Sequence, residues 1–418
     1  GAVNFTAKSA SYYVKDTGSD TVGAGTLSAP FKTLAHAYTA ALANPAIQTI
    51  TVLSNLDLDA GAAMELNAHG GAPQEITITS DGEGGPWTLA RSFGNGKVVE
   101  DAVVTVTGGA QVVFSNITID GKNNRSLGST LNRALYIEGA KVTLGAGAHL
   151  VGKYEFLTNY GNIESGGGAV YVKSGELIMN DGSTITGEAG NPDMDTSDDR
   201  AFSGGGVYVD SAGTFTMNGG TVSGYALSGG GIFSSGIFTM NNGEISGCTT
   251  NPFGWFPFTN PSGGAGVYVA GGTFTMNNGT IKDNIRYNNS LTGGGGGVFV
   301  AGGEFLMKGG TMSGNEAEGS SGGGVYVDSA GKFTMSGNSV ISGNSAMSGS
   351  PVYGSGILGG EGGGVYNRGE FEMTSGTIYG YDSTEVVESM RNKAGLGSST
   401  YVDSSAGAGS DDTINSYP

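Results

Sequence analysis

The sequence predicts an all-β fold, a parallel β-solenoid, on three observations. Three short words recur in seven successive units. Side chains within each word alternate with a period of two. Glycine, 80 of 418 residues, fences the words together with Asn and Ser. That glycine density and that period exclude helices across the repeats. Only 10 prolines and no G-X-Y register exclude collagen. A hydrophobic content of 37% supplies apolar surface to bury and argues against disorder.

Four stretches of one continuous solenoid follow in order. Residues 1–45 hold a strand, SYYV, and an amphipathic helix. Pro30 suits its first turn, and Phe31, Leu34, Ala35, Tyr38 and Leu42 make one apolar face. An open solenoid end needs a cover, and this helix is the expected cap. Residues 46–165 hold less regular coils, with words such as ITVL (50–53), EITIT (75–79) and VVTVTGGAQVVFSNITIDG (103–121). Residues 166–380 hold the regular, glycine-rich repeats. From 381 to 418 the pattern decays, and this stretch is expected to finish the last coil and cover the far end.

Within the repeats, the aromatic of the G-V-Y-V word falls at Tyr171, Tyr208, Phe233, Tyr268, Phe299, Tyr326 and Tyr366. The Met of the F-T-M word falls at Met179, Met217, Met240, Met276, Met307, Met335 and Met373. The aliphatic of the T-I-S-G word falls at Ile185, Val222, Ile245, Ile281, Met312, Ile341 and Ile378. Three strands per unit predict three sheets, with each word stacked about 4.8 Å from its copy. No unit buries its own apolar face, so its neighbours complete it.

The G-G-G-V-Y-V and F-T-M-x-G-G-T-I-S-G-N words resemble those of bacterial surface proteins with polymorphic-outer-membrane-protein-like repeats. The chain is similar to right-handed parallel β-helices of the pectin-lyase-like class. The opening SYYVKDTGSDTVGAGTLSAPFKTLAHAYTAAL resembles the start of many of them. The resemblance implies a right-handed parallel β-helix of about ten coils.

In F-T-M, Phe and Met share a face, so Phe215, Phe238, Phe274, Phe305, Phe333 and Phe371 should stack in the core. In V-Y-V, inward valines leave the aromatics as an outward ladder. That ladder reads as stacking that ties rungs together or, more sharply, as a sugar-binding strip. A threonine array of the ice-binding kind is excluded beside the Phe column, because Ile237, Glu304, Leu306, Lys332, Glu370 and Glu372 break it.

Length varies at one place in each unit. Met to aliphatic takes 5 or 6 residues, but aliphatic to the next aromatic runs from 11 (Val222 to Phe233) to 25 (Ile341 to Tyr366). In a stacked coil this is one corner, and insertions gathered on one side mark a functional face. Loop 248–263 carries Phe253, Trp255, Phe256 and Phe258, an aromatic cluster that suits glycan or protein binding or packs as a mini-core. Loop 284–294 adds Arg286 and Tyr287 as candidate contacts. Loop 188–203 carries Asp193, Asp195, Asp198 and Asp199, a weak candidate for Ca2+ that lacks an EF-hand pattern; no other cofactor or metal site is expected.

A formal charge of −18 with no basic stripe argues against nucleic acid. No run of about 18 apolar residues is present, so no helical membrane insertion is expected. The single cysteine, Cys248, forms no internal disulfide. One cluster suggests catalysis: Asp120, Lys122, Arg125 and Arg133 follow a strand, yet no second carboxylate stands in register. The expectation is therefore a non-catalytic, monomeric β-helix, secreted or on the cell surface with its leader removed. It would be adhesin-like, holding a glycan or a surface protein through one corner. The alternative is a polysaccharide lyase or glycoside hydrolase acting on an extended polysaccharide.

Overall fold

The computed structural model describes residues 10–58, 64–68, 74–90, 102–121, 131–154, 168–188, 203–226, 228–250, 263–287, 294–347, 360–380, 391–394 and 400–402. Side chains at 131–132, 153–154, 347, 394 and 400–402 fall outside this description. Four groups of sequence candidates lie outside it as well: Phe253, Trp255, Phe256 and Phe258; Asp193, Asp195, Asp198 and Asp199; Lys122; and Arg125.

Among the described residues the fold is all-β save for one helix, Leu34–Leu42. Strands pair in parallel with their copies in the next unit, so each unit forms one rung. Among the described residues, one strand pair is antiparallel, Leu131–Glu138 with Ala148–Tyr154. Four pairing columns run through the repeats. The V-Y-V words form the first and the F-T-M words the second. In Val170–Met179, Val207–Met217, Val298–Met307 and Val325–Met335 the two words are one strand; the two bulges between Val172 and Ser174 and between Val300 and Gly302 break the register locally. The T-I-S words form the third column, for example Thr280–Lys282 on Thr311–Ser313.

A fourth column was not expected from three words. Thr249–Thr250, Ile285–Tyr287, Glu316–Glu318, Ser345–Met347 and Lys393–Ala394 stack in order. These segments share no residue pattern of their own, although four of the five follow directly on an asparagine, Asn284, Asn315, Asn344 or Asn392. Backbone pairing with the rung on each side holds them.

The core follows the two-residue alternation. Phe215, Phe238, Phe274, Phe305 and Phe333 are buried and stack with interplanar angles of 6–9°. The methionines from Met179 to Met335 and the aliphatics from Ile185 to Ile341 are buried beside them. The glycine after most F-T-M words has a steric cause. At Gly279 the backbone has φ 99°, and a Cβ would meet the Met240 methyl of the preceding rung at 2.6 Å. Met179, Met217, Met240, Met276 and Met335 each reach one rung along the stack to rest on such a glycine (Gly220, Gly243, Gly279, Gly310 and Gly376), whereas Ser339 takes that place beside Met307.

The N-terminal end is closed. Val14 and Phe31 bridge in parallel beside the first strand, Ala10–Val14: the Phe31 N–H donates to the Tyr13 carbonyl and the Lys15 N–H to the Phe31 carbonyl, both at 2.9 Å. The helix starts later than Pro30. Thr33 is its N-cap, and Asp20 accepts from the N–H groups of Lys32 and Thr33 (2.8 and 3.1 Å) and from the Thr33 hydroxyl (2.6 Å). Its buried stripe is Leu34, Ala37, Tyr38 and Ala41, spaced i, i+3, i+4, i+7. Ala35, expected inside, is exposed.

Candidate binding surface

The outward ladder exists and is longer than the repeats. Tyr136 of an irregular coil stands in register with Tyr171, and the column continues through Tyr208, Phe233, Tyr268, Phe299, Tyr326 and Tyr366. From Tyr208 to Tyr366, adjacent ring centroids lie 4.7–5.1 Å apart with interplanar angles of 8–37°. The faces of these rings are occupied by each other, so they offer edges outward. Exposure is uneven: Phe299 and Tyr326 are buried, and Phe299 packs against the backbone of Gly263.

At Tyr171 the stacking breaks. Its ring stands 86° from Tyr136 and 87° from Tyr208, and the buried Arg133 guanidinium lies 5.0 Å from its centroid. The Tyr171 hydroxyl donates to Asp210 (3.1 Å), which also pairs with Lys173 (3.5 Å). Burial raises the Tyr171 phenol well above its usual value, and Asp210 adds to this. Burial pushes Asp210 upward, but the Ser211 N–H, the Tyr171 hydroxyl and Lys173 outweigh it and hold its carboxyl below the usual range. Tyr136 donates to Glu138 (3.1 Å), and burial followed by that contact pushes its phenol up to about 12.

Arg286 and Tyr287 are not loop residues. They belong to the fourth-column strand Ile285–Tyr287, and Arg286 points inward with 0% exposure, between Thr250 and Ala317. Those small neighbours leave room for its long side chain, which lies against Gly294. Burial pulls its guanidinium down to about 9, with Tyr326 acting the other way. Arg286 is thus a packing group, which corrects its reading as a surface contact. Tyr287 stays half-buried on the outward side.

Of the cluster that suggested catalysis, Lys122 and Arg125 lie outside the described residues. Asp120 ends the strand Ile117–Asp120, which pairs within the third column, whereas Arg133 is buried in the first beneath Tyr171. A different carboxylate pair stands out. Glu316 and Glu318 share the outward side of the strand Glu316–Glu318, beside Tyr287. Burial, and then Glu318, raises the Glu316 carboxyl. Among the described residues, no group of three or more His, Cys, Asp or Glu side chains could hold a metal ion.

The feature that sequence reasoning missed is a buried asparagine ladder. Asn284, Asn315, Asn344 and Asn392 lie in one line, each side-chain amide donating to the next Oδ1 at 2.8–2.9 Å. Each also donates to a backbone carbonyl one rung back, as Asn315 does to Ile281 (2.9 Å). Cys248 occupies the head position: its N–H donates to Asn284 (2.9 Å), and its Sγ faces the Val222 carbonyl at 3.8 Å. The signal was the final residue of TIKDN, TMSGN and VISGN, counted only among the residues that fence the words. A second, exposed ladder runs from Asn277 through Asn241 and Asn218 to Asn180 (2.8–3.0 Å).

Most long connections in the repeats enter the stack at one place; 379–392 instead runs from the third-column strand Thr377–Ile378 to the fourth-column strand Lys393–Ala394. The chain segments 189–202, 251–262, 288–293 and 348–359 each run from a third- or fourth-column strand to the next first-column strand, as do 91–101, 122–130 and 155–167 earlier. The corner of variable length therefore borders the aromatic column. Comparisons with protein-family models, curated proteins and solved structures found no match.

Proposed function

We propose that the chain is a right-handed parallel β-helix of the pectin-lyase-like kind and a non-catalytic binding protein of the cell surface or the secreted space. It takes glycans or surface proteins on the side where its insertions gather. One observation carries the reading: the connections 91–101, 122–130, 155–167, 189–202, 251–262, 288–293 and 348–359, of unequal length, each lead into the outward aromatic column, while the rungs of the repeats are near-copies. Repetition sets the rod, and most of the variation gathers on one side of it. An acidic chain with one buried cysteine fits an extracellular setting. A glycan array tests this with the wild type and the Trp255→Ala/Phe256→Ala variant. Binding that the variant loses at unchanged melting temperature supports it; a large stability loss with binding intact makes those aromatics a mini-core.

A second reading has its own observation. Glu316, with its raised carboxyl, and Glu318 share one outward side with Tyr287, the pairing that acid–base hydrolysis of a glycosidic bond requires. Hydrolysis of any polysaccharide in a substrate panel, abolished by Glu316→Gln, would establish it over the binding role.

A further inference from the structure

Charge is spread unevenly over the broad sheet made by the first two columns. Its outward positions carry Lys173 and Glu176 on one rung and Asp210 on the next. Further along they carry Glu304, then Asp328 and Lys332, then Arg368, Glu370 and Glu372. Between Asp210 and Glu304 lie two consecutive rungs whose only titratable outward group on this sheet is the Tyr268 phenol; in the third column the same rungs carry Glu244 and Lys282, paired with each other at 3.1 Å. The first presents Phe233, Ser235, Ile237 and Thr239; the second presents Tyr268, Ala270, Thr273 and Thr275. Ion pairs bracket this window, Lys173–Asp210 (3.5 Å) on one side and Lys332–Glu304 (3.3 Å) on the other.

The window is hydroxylated and regular. Thr216, Thr239 and Thr275 stand in register on three successive rungs, about 4.8 Å apart. Thr214, Ile237 and Thr273 form a parallel row. Among the described residues none of these threonines spends its hydroxyl on a hydrogen bond within the protein. Some outward hydroxyls elsewhere are used internally, as where Thr107 donates to Glu65 (2.7 Å) and Ser223 to Thr186 (3.4 Å). Ile237 is 54% exposed, the only large hydrophobic so exposed among the described repeats.

We propose that this window is the docking face for an uncharged, extended polysaccharide. The inference rests on the binding reading above and names its ligand class and its place. A neutral sugar polymer presents alternating hydroxyls and apolar C–H surface, which the threonine rows, Ile237 and the ring edges match. A polyanionic glycan meets a chain of formal charge −18 and no cation inside the window. A protein partner lacks the clustered apolar anchors that carry such interfaces, because Ile237 stands alone. Tyr208, Phe233 and Tyr268 use their ring faces on each other, at interplanar angles of 8° and 14°. No single strong sugar stack is on offer, so affinity comes from many weak contacts repeated along an extended chain.

Co-sedimentation with insoluble cellulose, chitin and β-1,3-glucan, set against polygalacturonate and chitosan beads, tests it. The wild type is expected to bind at least one neutral polymer. Thr239→Glu and Ile237→Lys, each at an outward position, should each weaken that binding by about tenfold or more with melting temperature unchanged. Thr239→Ser should retain it and controls for backbone effects. Three results overturn the inference. If both charged variants bind as the wild type while Trp255→Ala/Phe256→Ala does not, glycan binding stands and the window is not its site. If the wild type binds only charged polymers, the ligand class is wrong. If it binds no glycan at all, this inference falls together with the glycan half of the binding reading.

Discussion

The molecule contains two aromatic columns, one inside and one outside, and they obey different rules. The inner column is phenylalanine from Phe215 to Phe371, and its adjacent rings stay within 6–12° of parallel. The outer column mixes Tyr and Phe, and its interplanar angles range from 8° to 87°. Inside, the rings from Phe215 to Phe333 are buried beside the methionine column, so each ring is held parallel to the next; one rung earlier the smaller Leu177 takes the same place. Outside, one edge of the ring faces water. A tyrosine hydroxyl is tolerated there, and at Tyr171 local partners turn the ring.

Breaking one ring in each column measures the difference. Phe274→Ala should cost about 3–5 kcal/mol in urea unfolding, because the cavity is closed on all sides. Tyr268→Ala, one word earlier in the same rung, should cost about 1–2 kcal/mol. Equal losses would mean that the outer column is as much a part of the core as the inner one.

The two asparagine ladders sharpen the same contrast. Asn315→Ala strands the Asn284 amide and the Ile281 carbonyl in the buried line and should cost about 2–3 kcal/mol. Asn241→Ala, in the exposed ladder, should cost under about 1 kcal/mol, since water replaces what is lost. The reverse change is informative too. Cys248→Asn should raise the melting temperature, because the thiol already faces the carbonyl that an amide would use and Asn284 awaits it on the next rung.

The smallest expected effect is on the outside alone. The carboxyls of Asp20, Asp210 and Glu244 are held below their usual range by the groups that donate to them. Depressed carboxylates stabilise the fold above their unfolded values and lose that contribution as pH falls through the folded ones. Stability should therefore fall below roughly pH 4. Glu316, whose carboxyl is raised, acts in the opposite sense: its protonated form is favoured in the fold, so that contribution is lost as pH rises. Thermal melts from pH 6 to pH 3 check this, and Asp210→Asn should shallow the acid loss.

Much of this was legible in the sequence by itself. Alternation placed Val207, Val209, Phe215 and Met217 inside and Tyr208 outside, because side chains on a strand have only two directions to choose from. Near-identical spacing from word to word determined that copies stack, and the unequal gaps determined which corner varies. Other features came only with the tertiary structure. Ile285–Tyr287, Glu316–Glu318 and Ser345–Met347 became strands because a neighbouring rung supplied their hydrogen bonds, and no residue pattern of their own records that. Arg286 turned inward because Thr250 and Ala317 are small, a fact about residues 36 and 31 positions away. Asn392 joined Asn344 across 48 residues of unequal chain. The uncharged window, too, is assembled from two rungs and bounded by charges on two others. Local alternation is written within a word, but what lies one rung away depends on register, and register exists only once the coils have stacked.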